Sequence, residues 1–135
     1  MRKPFIAGNW KMNKTVAWIN NQQDWPDVYG LGPEEIFGVF GTTWYYRLGL
    51  PGVKEFVAKY QKTYPGIQIA VPGNVFYNGY VATRELLRCV EEAGSTNNLV
   101  VIKKLEGRKM RAADRMQHHD AWIDAATHQV QQTIY

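Results

Sequence analysis

The chain has 135 residues, of which 45% are hydrophobic and 13% aromatic, and its formal net charge is +4. This length suffices for one folded domain but excludes a complete eight-stranded β/α barrel, which needs roughly 200 residues or more. The single cysteine excludes an internal disulfide, and no stretch approaches the ~20 apolar residues of a membrane-spanning helix. The start of the chain lacks the apolar run of a secretory signal, so we expect the chain as written to be cytoplasmic.

The first element in the chain is "FIAGNWKMNK", in which Phe5–Ala7 has the composition of a short buried strand. Asn9 and Lys11 follow this strand, and an amide beside a lysine suits an anion such as a phosphate or a carboxylate. Over about residues 2–15 the amino-acid sequence resembles that of the first strand and loop of triosephosphate isomerase. The resemblance implies that Asn9 and Lys11 form a candidate anion-binding site.

The next part of the chain is predicted to be a connection followed by a strand. Residues 16–33 are rich in Asn, Gln, Asp, Gly and Pro, which indicates an irregular connection. The apolar run Ile36–Phe40, between Pro33 and Gly41, predicts a buried strand. Residues 42–46 would lie at its carboxyl end, the edge of an open α/β sheet where ligands bind.

Two helices are predicted in the middle of the chain. The stretch "PGVKEFVAKYQKTYPG" predicts an amphipathic helix with Pro51 in its first turn. "IQIAV" after it predicts a short strand. A longer helix is predicted from Asn74, as its cap, to Ala93, with Gly94 as a left-handed stop.

Two adjoining apolar stripes on the longer helix predict that a broad face packs deep against a sheet. Cys89 within the second stripe is interpreted as a small core residue. The first stripe contains Phe76, Tyr80, Thr83, Leu87 and Val90, and the second contains Ala82, Leu86, Cys89 and Ala93.

The last third of the chain contains two further predicted elements. "NNLVVIKKLEG" is compatible with a strand or with a short helix capped by Asn97 or Asn98, and the helix is preferred. "AWIDAATHQVQQTIY" predicts two strands around the turn "DAATH".

Basic and histidine-rich stretches in this region do not indicate a site. Basic residues are concentrated in residues 103–115, but no aromatic residues for base stacking are interleaved with them, so a solvated surface is favoured over nucleic-acid binding. His118, His119 and Asp120, with His128 nearby, match no zinc-binding spacing. We therefore expect no metal.

Several quoted stretches, in their order, resemble one known family. "FGTTWYY", "PGVKEFVAKYQKTYPG", "VFYNGYVATRELLRCVEEAGSTNN", "IKKLEG" and "DAATHQVQQTIY" resemble the carboxyl-terminal part of type 1 periplasmic solute-binding proteins of ABC transporters. The branch is the one that serves branched-chain amino acids, amides and urea, and the resemblance covers about residues 30–135. It implies a single three-layer α/β lobe of periplasmic-binding-protein type, with a mainly parallel sheet flanked by helices and a carboxyl-terminal β-hairpin.

The resemblance also implies a ligand site, a partner and a location. The loop after a lobe strand and the start of the long helix face the cleft in this family. These positions are Thr42, Thr43, Trp44, Tyr45, Phe76, Tyr77 and Asn78. Aromatic walls would hold an aliphatic or amide group, while Thr and Asn would supply hydrogen bonds. The implied partner is a small amino acid or amide, and the implied location is the periplasm.

An alternative interpretation is that Trp44, Tyr45 and Phe76 are ordinary core aromatics. In the family, the groups that bind the ammonium and carboxylate of the ligand come largely from the other lobe. We therefore expect this chain to bind a solute weakly or not at all.

Taken together, the two resemblances predict one composite α/β domain over residues 1–135. Residues 1–15 would be the isomerase-like strand and loop, residues 16–33 the connection, and residues 34–135 the solute-binding lobe. We expect no enzymatic activity and no cofactor, because the isomerase sequences around its catalytic His and Glu are missing. Two other hypotheses are an isomerase fragment and an engineered chimeric scaffold without native function. A scaffold with open sheet edges could form a homodimer.

Overall fold

The computed structural model describes the backbone of Ile19–Asn20 and Val39–Phe40 and the whole of residues 41–135. Strand β1, Ile19–Asn20, pairs in parallel with β2, Val39–Phe40. The predicted strand at residues 36–40 is therefore present at its carboxyl end. The prediction of an irregular connection over residues 16–33 is wrong at Ile19 and Asn20, because the backbone of these two residues pairs with β2. The predicted isomerase-like strand lies outside the described residues.

The first helix, α1, spans Val53–Thr63 and confirms the helix predicted from the amphipathic pattern. Its amino-terminal cap is Gly52, whose φ of 86° is readily accessible only to glycine. Pro51 therefore lies just before the cap and not inside the first turn.

The second helix, α2, spans Asn74–Ala93, as the sequence predicts. Gly94 ends it with φ 58°, which confirms the left-handed stop. The cap residue is Gly73, so Asn74 is the first helical residue and its side chain is available for a different role.

The third helix, α3, spans Asn98–Leu105, which confirms the helix over the strand alternative. Asn97 caps it, because its side-chain oxygen accepts hydrogen bonds from the backbone amides of Leu99 at 3.0 Å and Val100 at 3.4 Å.

Three short strands complete the described structure. They form an antiparallel sheet in the order β3-β4-β5, and β4 and β5 pair across the "DAATH" turn. Of the strands described, only β1 and β2 are parallel, so the mainly parallel sheet is not formed within the described residues. The strands are β3, Lys109–Met110, β4, Ala121–Ile123, and β5, Val130–Gln131, with a 3-10 turn at Ala113–Arg115 between β3 and β4.

The strand predicted at "IQIAV" is wrong, because this segment has no ladder partner in the described structure. Side chains of α1 bind its carbonyl groups instead. The hydroxyl of Tyr60 donates to the Ile69 carbonyl at 3.3 Å, and Gln61 Nε2 donates to the Ala70 carbonyl at 3.0 Å. These bonds hold the segment along the helix, where the apolar pattern alone favours a sheet.

The core lies between α1, α2 and the loop that follows β2. Its fully or nearly buried members are Trp44, Val53, Tyr77, Val81 and Met116. Phe56 and Val57 of α1 pack against this cluster from the side. Helix α2 therefore packs on a helix and a loop as well as on α3, and the predicted packing deep against a sheet is not found in the described residues.

The buried face of α2 also differs from the prediction. Its buried residues include Val81 and Cys89, which confirms Cys89 as a core residue. Leu87, which the apolar stripe predicts to be buried, is 62% exposed, and Tyr80 is 37% exposed. The inward face of the helix is thus rotated away from the stripe that the sequence favours.

A charged residue explains this rotation. Glu85 of α2 is only 4% exposed, and its carboxylate accepts hydrogen bonds from Arg88 at 3.0 Å and Arg108 at 3.1 Å. The hydrogen bonds that Arg108 donates to the Glu92 and Glu85 carboxylates raise the pKa of Arg108. Because two arginines compensate its charge, Glu85 can face inward, which the local pattern of polar residues does not reveal.

The two faces of α2 can be distinguished by a pair of truncations. We expect Val81→Ala to lower the free energy of unfolding by about 2 kcal/mol, because it removes buried methyl groups. Leu87→Ala should change it by less than about 0.5 kcal/mol, since this side chain is largely exposed. Urea denaturation of both variants measures the difference, and a larger loss for Leu87→Ala would contradict the observed face.

Candidate functional site

The structure brings together the two segments predicted to face a ligand. We call the combination of Thr42–Tyr45 and Phe76–Asn78 the loop–helix site. The Thr43 hydroxyl donates to the side-chain oxygen of Asn74, and Asn78 Nδ2 donates to Thr43 Oγ1 at 3.0 Å. These bonds join the loop after β2 to the first turn of α2, a contact between residues more than 30 positions apart in the sequence.

The local conformation of the loop is set by Thr42. Its hydroxyl donates to the Trp44 carbonyl at 2.8 Å. Its backbone amide donates to the Tyr135 carbonyl at 3.0 Å, and the Tyr135 amide donates back to the Thr42 carbonyl at 2.8 Å. This reciprocal pair is antiparallel, and it ties the loop to the last residue of the chain.

Two of the predicted site aromatics are buried. Trp44 and Tyr77 are 1% and 0% exposed, and their rings stack with a centroid distance of 4.8 Å and an interplanar angle of 6°. Phe56 packs against Trp44 edge-on at 5.5 Å. Trp44 and Tyr77 therefore form the floor of the loop–helix site and do not offer a surface to a solute.

The other two aromatics of the site are accessible. Tyr45 is 40% exposed and packs against Tyr46, while Phe76 is 37% exposed. Phe76 is held edge-on against Tyr60 of α1, with ring centroids 4.8 Å apart. Together with the half-buried Thr42, Thr43 and Asn78, these side chains are the part of the site that a small molecule can reach.

Gln117 supports the site from behind, and sequence reasoning did not identify it. Its Nε2 donates to the Thr43 carbonyl at 2.5 Å and to the Tyr77 hydroxyl at 3.1 Å. Its Oε1 accepts a hydrogen bond from the Tyr135 hydroxyl at 2.8 Å. An isolated polar residue in "DRMQHHD" carries no periodic signal, so only the folded structure shows that this amide joins three segments.

Burial changes the ionisation of Tyr77. Desolvation raises the pKa of its phenol above the ordinary value of 10.0, and the hydrogen bond from Gln117 opposes this shift only in part. The phenol donates to the Arg115 carbonyl at 2.5 Å. The neutral hydroxyl is thus the form that fits the buried network.

A groove lies beside the loop–helix site and shares Phe76 with it. Its volume is about 510 Å³, and the described residues that line it belong to α2. The lining residues are Phe76, Gly79, Tyr80, Thr83, Arg84 and Leu87. The groove follows the exposed apolar stripe of α2 and so runs away from Thr43 and Asn78.

The remaining predicted positions contribute no site in the described residues. Asn9 and Lys11, the candidate anion site, lie outside them. Among residues 41–135, no cluster of His, Cys, Asp and Glu side chains is arranged to hold a metal ion, and His128 lies 3.4 Å from the Glu106 carboxylate. No helix in the described part of the chain is long and apolar enough to cross a membrane.

Replacement of Gln117 tests its role in joining the segments. We expect Gln117→Leu to lower the free energy of unfolding by about 2 kcal/mol, because the Tyr135 hydroxyl and the Thr43 carbonyl lose their partner in a buried place. Gln68→Leu, at an exposed position, is the matched control and should be near neutral. Chemical denaturation compares them, and equal effects of the two changes would argue against the network.

The raised pKa of Tyr77 makes stability fall at alkaline pH. In the unfolded chain its phenol ionises near 10, whereas the folded chain keeps it neutral, so this contribution is present below pH 10 and is lost above it. Urea denaturation measures the free energy of unfolding at about pH 8 and about pH 11. Between these two pH values, this free energy should fall less in Tyr77→Phe than in Tyr64→Phe, whose substitution is at an exposed control position and leaves the Tyr77 phenol in place. The same loss in both variants would contradict the assignment.

Comparison with known proteins identifies the family. The family model described as periplasmic binding protein matches residues 10–135, which is most of the chain. A search of curated proteins gave no match to this chain. Proteins of this family generally bind solutes and do not catalyse reactions. From the match over residues 10–135, we conclude that the chain belongs to the periplasmic binding protein family.

Proposed function

We propose that this chain is a truncated or composite lobe of a periplasmic solute-binding protein that serves an ABC transporter, and that it binds a small amino acid, an amide or urea. The observation that supports the proposal most directly is the hydrogen-bonded junction of Thr43, Asn74 and Asn78. It brings polar groups and accessible aromatics together at one place. The periplasm is the location at which such a protein would act.

The proposed contacts follow from exposure. Tyr45 and Phe76 would provide the apolar walls, because each leaves more than a third of its surface exposed. Thr42, Thr43 and Asn78 would provide hydrogen bonds to an amide or carboxylate group. Trp44 and Tyr77 would act from below, by holding the loop against α2.

Low affinity is expected for this lobe alone. Small-molecule sites usually enclose most of the ligand surface, and a single loop–helix wall covers one side of a solute. We therefore expect a dissociation constant in about the millimolar range, for which the binding free energy is about −4 kcal/mol. No catalytic step is proposed. The alternative of an isomerase fragment rests on Asn9 and Lys11, and no contact of the described residues favours it.

Two-dimensional amide NMR tests the proposal. Leucine, acetamide and urea, each titrated to about 100 mM, should shift the amide peaks of Tyr45 and Asn78 in a saturable way for at least one solute. Phe76→Ala should weaken that binding about fivefold, whereas Trp122→Ala, an exposed aromatic on β4, should not.

Glycerol phosphate serves as the comparison ligand in this titration. Saturable shifts with glycerol phosphate alone would favour the isomerase alternative. Dispersed spectra that respond to none of the four compounds would contradict a surviving solute site and would leave a folded scaffold.

A further inference from the structure

Arg115 is a buried cation whose position is fixed by the turn that contains it. The turn places Met116 at φ 51°, in the left-handed region. Gln117 donates its backbone amide to the Ala112 carbonyl at 3.0 Å, and the Asp120 carboxylate accepts from the Ala112 amide at 2.7 Å. With the Tyr77 hydroxyl on the Arg115 carbonyl, these bonds direct the arginine inward, where it is only 3% exposed.

The guanidinium group of Arg115 is incompletely bonded. Its Nη2 donates to the side-chain oxygen of Gln132. Its Nε and Nη1 are buried and find no acceptor among the residues that the structure describes. No carboxylate in residues 41–135 lies within the 4.0 Å of an ion pair with it.

The neighbouring carboxylates form ion pairs with other arginines. Glu85 binds Arg88 and Arg108, and Asp114 binds Arg111 at 3.0 Å. Among residues 41–135, this ion-pair network contains four arginines and three carboxylates, so within that range it has an excess of positive charge before Arg115 is counted. Its members are Arg84, Arg88, Arg108, Arg111, Glu85, Glu92 and Asp114.

Arg84 adds a second donor to the same region. It donates through Nη2 to the Asp114 carbonyl, next to Arg115 in the chain, while its Nε is buried without an acceptor in the described residues. Burial lowers the pKa of Arg115; the Tyr77 phenol and the Glu85 charge oppose this shift, and the charge of Arg84 adds to it to a smaller extent. Arg115 is an arginine whose environment disfavours its charge, and arginine does not deprotonate near neutral pH.

We propose that a small monovalent anion, of the size of chloride or formate, binds beside Arg115 and Arg84 in the folded protein. A buried guanidinium whose Nε and Nη1 lack acceptors is unfavourable, and an anion supplies both an acceptor for these groups and a negative charge. The near-complete burial of Arg115 favours a small anion over a large one. The Tyr77 hydroxyl of the loop–helix site donates to the Arg115 carbonyl, so the two places are neighbours, but the proposed anion does not depend on solute binding.

Thermal unfolding of the whole chain at constant ionic strength tests the site. Sodium gluconate, whose anion is much larger than chloride or formate, is replaced stepwise by one of these anions up to about 200 mM. We expect the midpoint of the wild-type protein to rise by about 3 °C with at least one of them, saturably. Chloride and formate in separate series show whether a halide or a carboxylate is the better ligand.

Variants assign the effect to its residue. Arg115→Met should abolish the rise, whereas Arg47→Met, at an exposed arginine, should keep it. A wild-type midpoint that does not respond to either anion, or an Arg115→Met protein that keeps the full rise, would overturn the proposal.

A second measurement uses only the wild-type protein, in case Arg115→Met does not fold. At fixed protein concentration, the excess chlorine-35 linewidth should fall as added chloride saturates the site, and formate should also reduce it by competition. An excess linewidth that neither chloride concentration nor formate changes, together with unchanged midpoints in both anion series, would exclude the site.

Discussion

The Tyr77 side chain is the point at which three separate segments of the described structure meet. Its ring stacks on Trp44 of the loop after β2. Its hydroxyl donates to the Arg115 carbonyl and accepts from the side-chain Nε2 of Gln117, both in the turn before β4. Since the ring is fully buried, both faces and the polar tip must be satisfied by the protein. The orientation of α2, the shape of the loop and the position of the carboxyl-terminal segment all depend on this contact.

The same contact explains how one stretch of sequence supplies both core residues and the accessible residues of the candidate site. Consecutive residues of α2 point in different directions, so Tyr77 enters the core while Phe76 remains partly exposed and Asn78 reaches Thr43. The loop behaves similarly, with Trp44 inward and Tyr45 outward. A rigid floor beneath a few accessible groups is the arrangement by which scaffolds position side chains for binding.

Charge compensation is the second constraint on the structure. Glu85 can lie against the core because Arg108 and Arg88 reach it. In the described part of the chain, the arginines of this network outnumber its carboxylates. That imbalance leaves Arg115 without a carboxylate of its own in the described residues, although the turn holds it inside. Buried charges of this kind need a partner, and here the partner has to come from beyond the described ion pairs.

The sequence by itself predicted the first two helices, the end of α2 at Gly94 and the pairing segments around "DAATH", because turn residues and helical periodicity act over a few neighbouring positions. It favoured a third helix over a strand and left its cap open between Asn97 and Asn98. It also named the loop after β2 and the start of α2 as candidate ligand-facing segments, and the structure brings these two segments together. Only the tertiary structure decided which face of α2 is buried and that "IQIAV" forms no strand. It also showed that Gln117 supports the site. These outcomes depend on partners far away in the chain, such as Arg108 for Glu85, Tyr60 for the Ile69 carbonyl and Tyr135 for Gln117, and no local pattern encodes such partners.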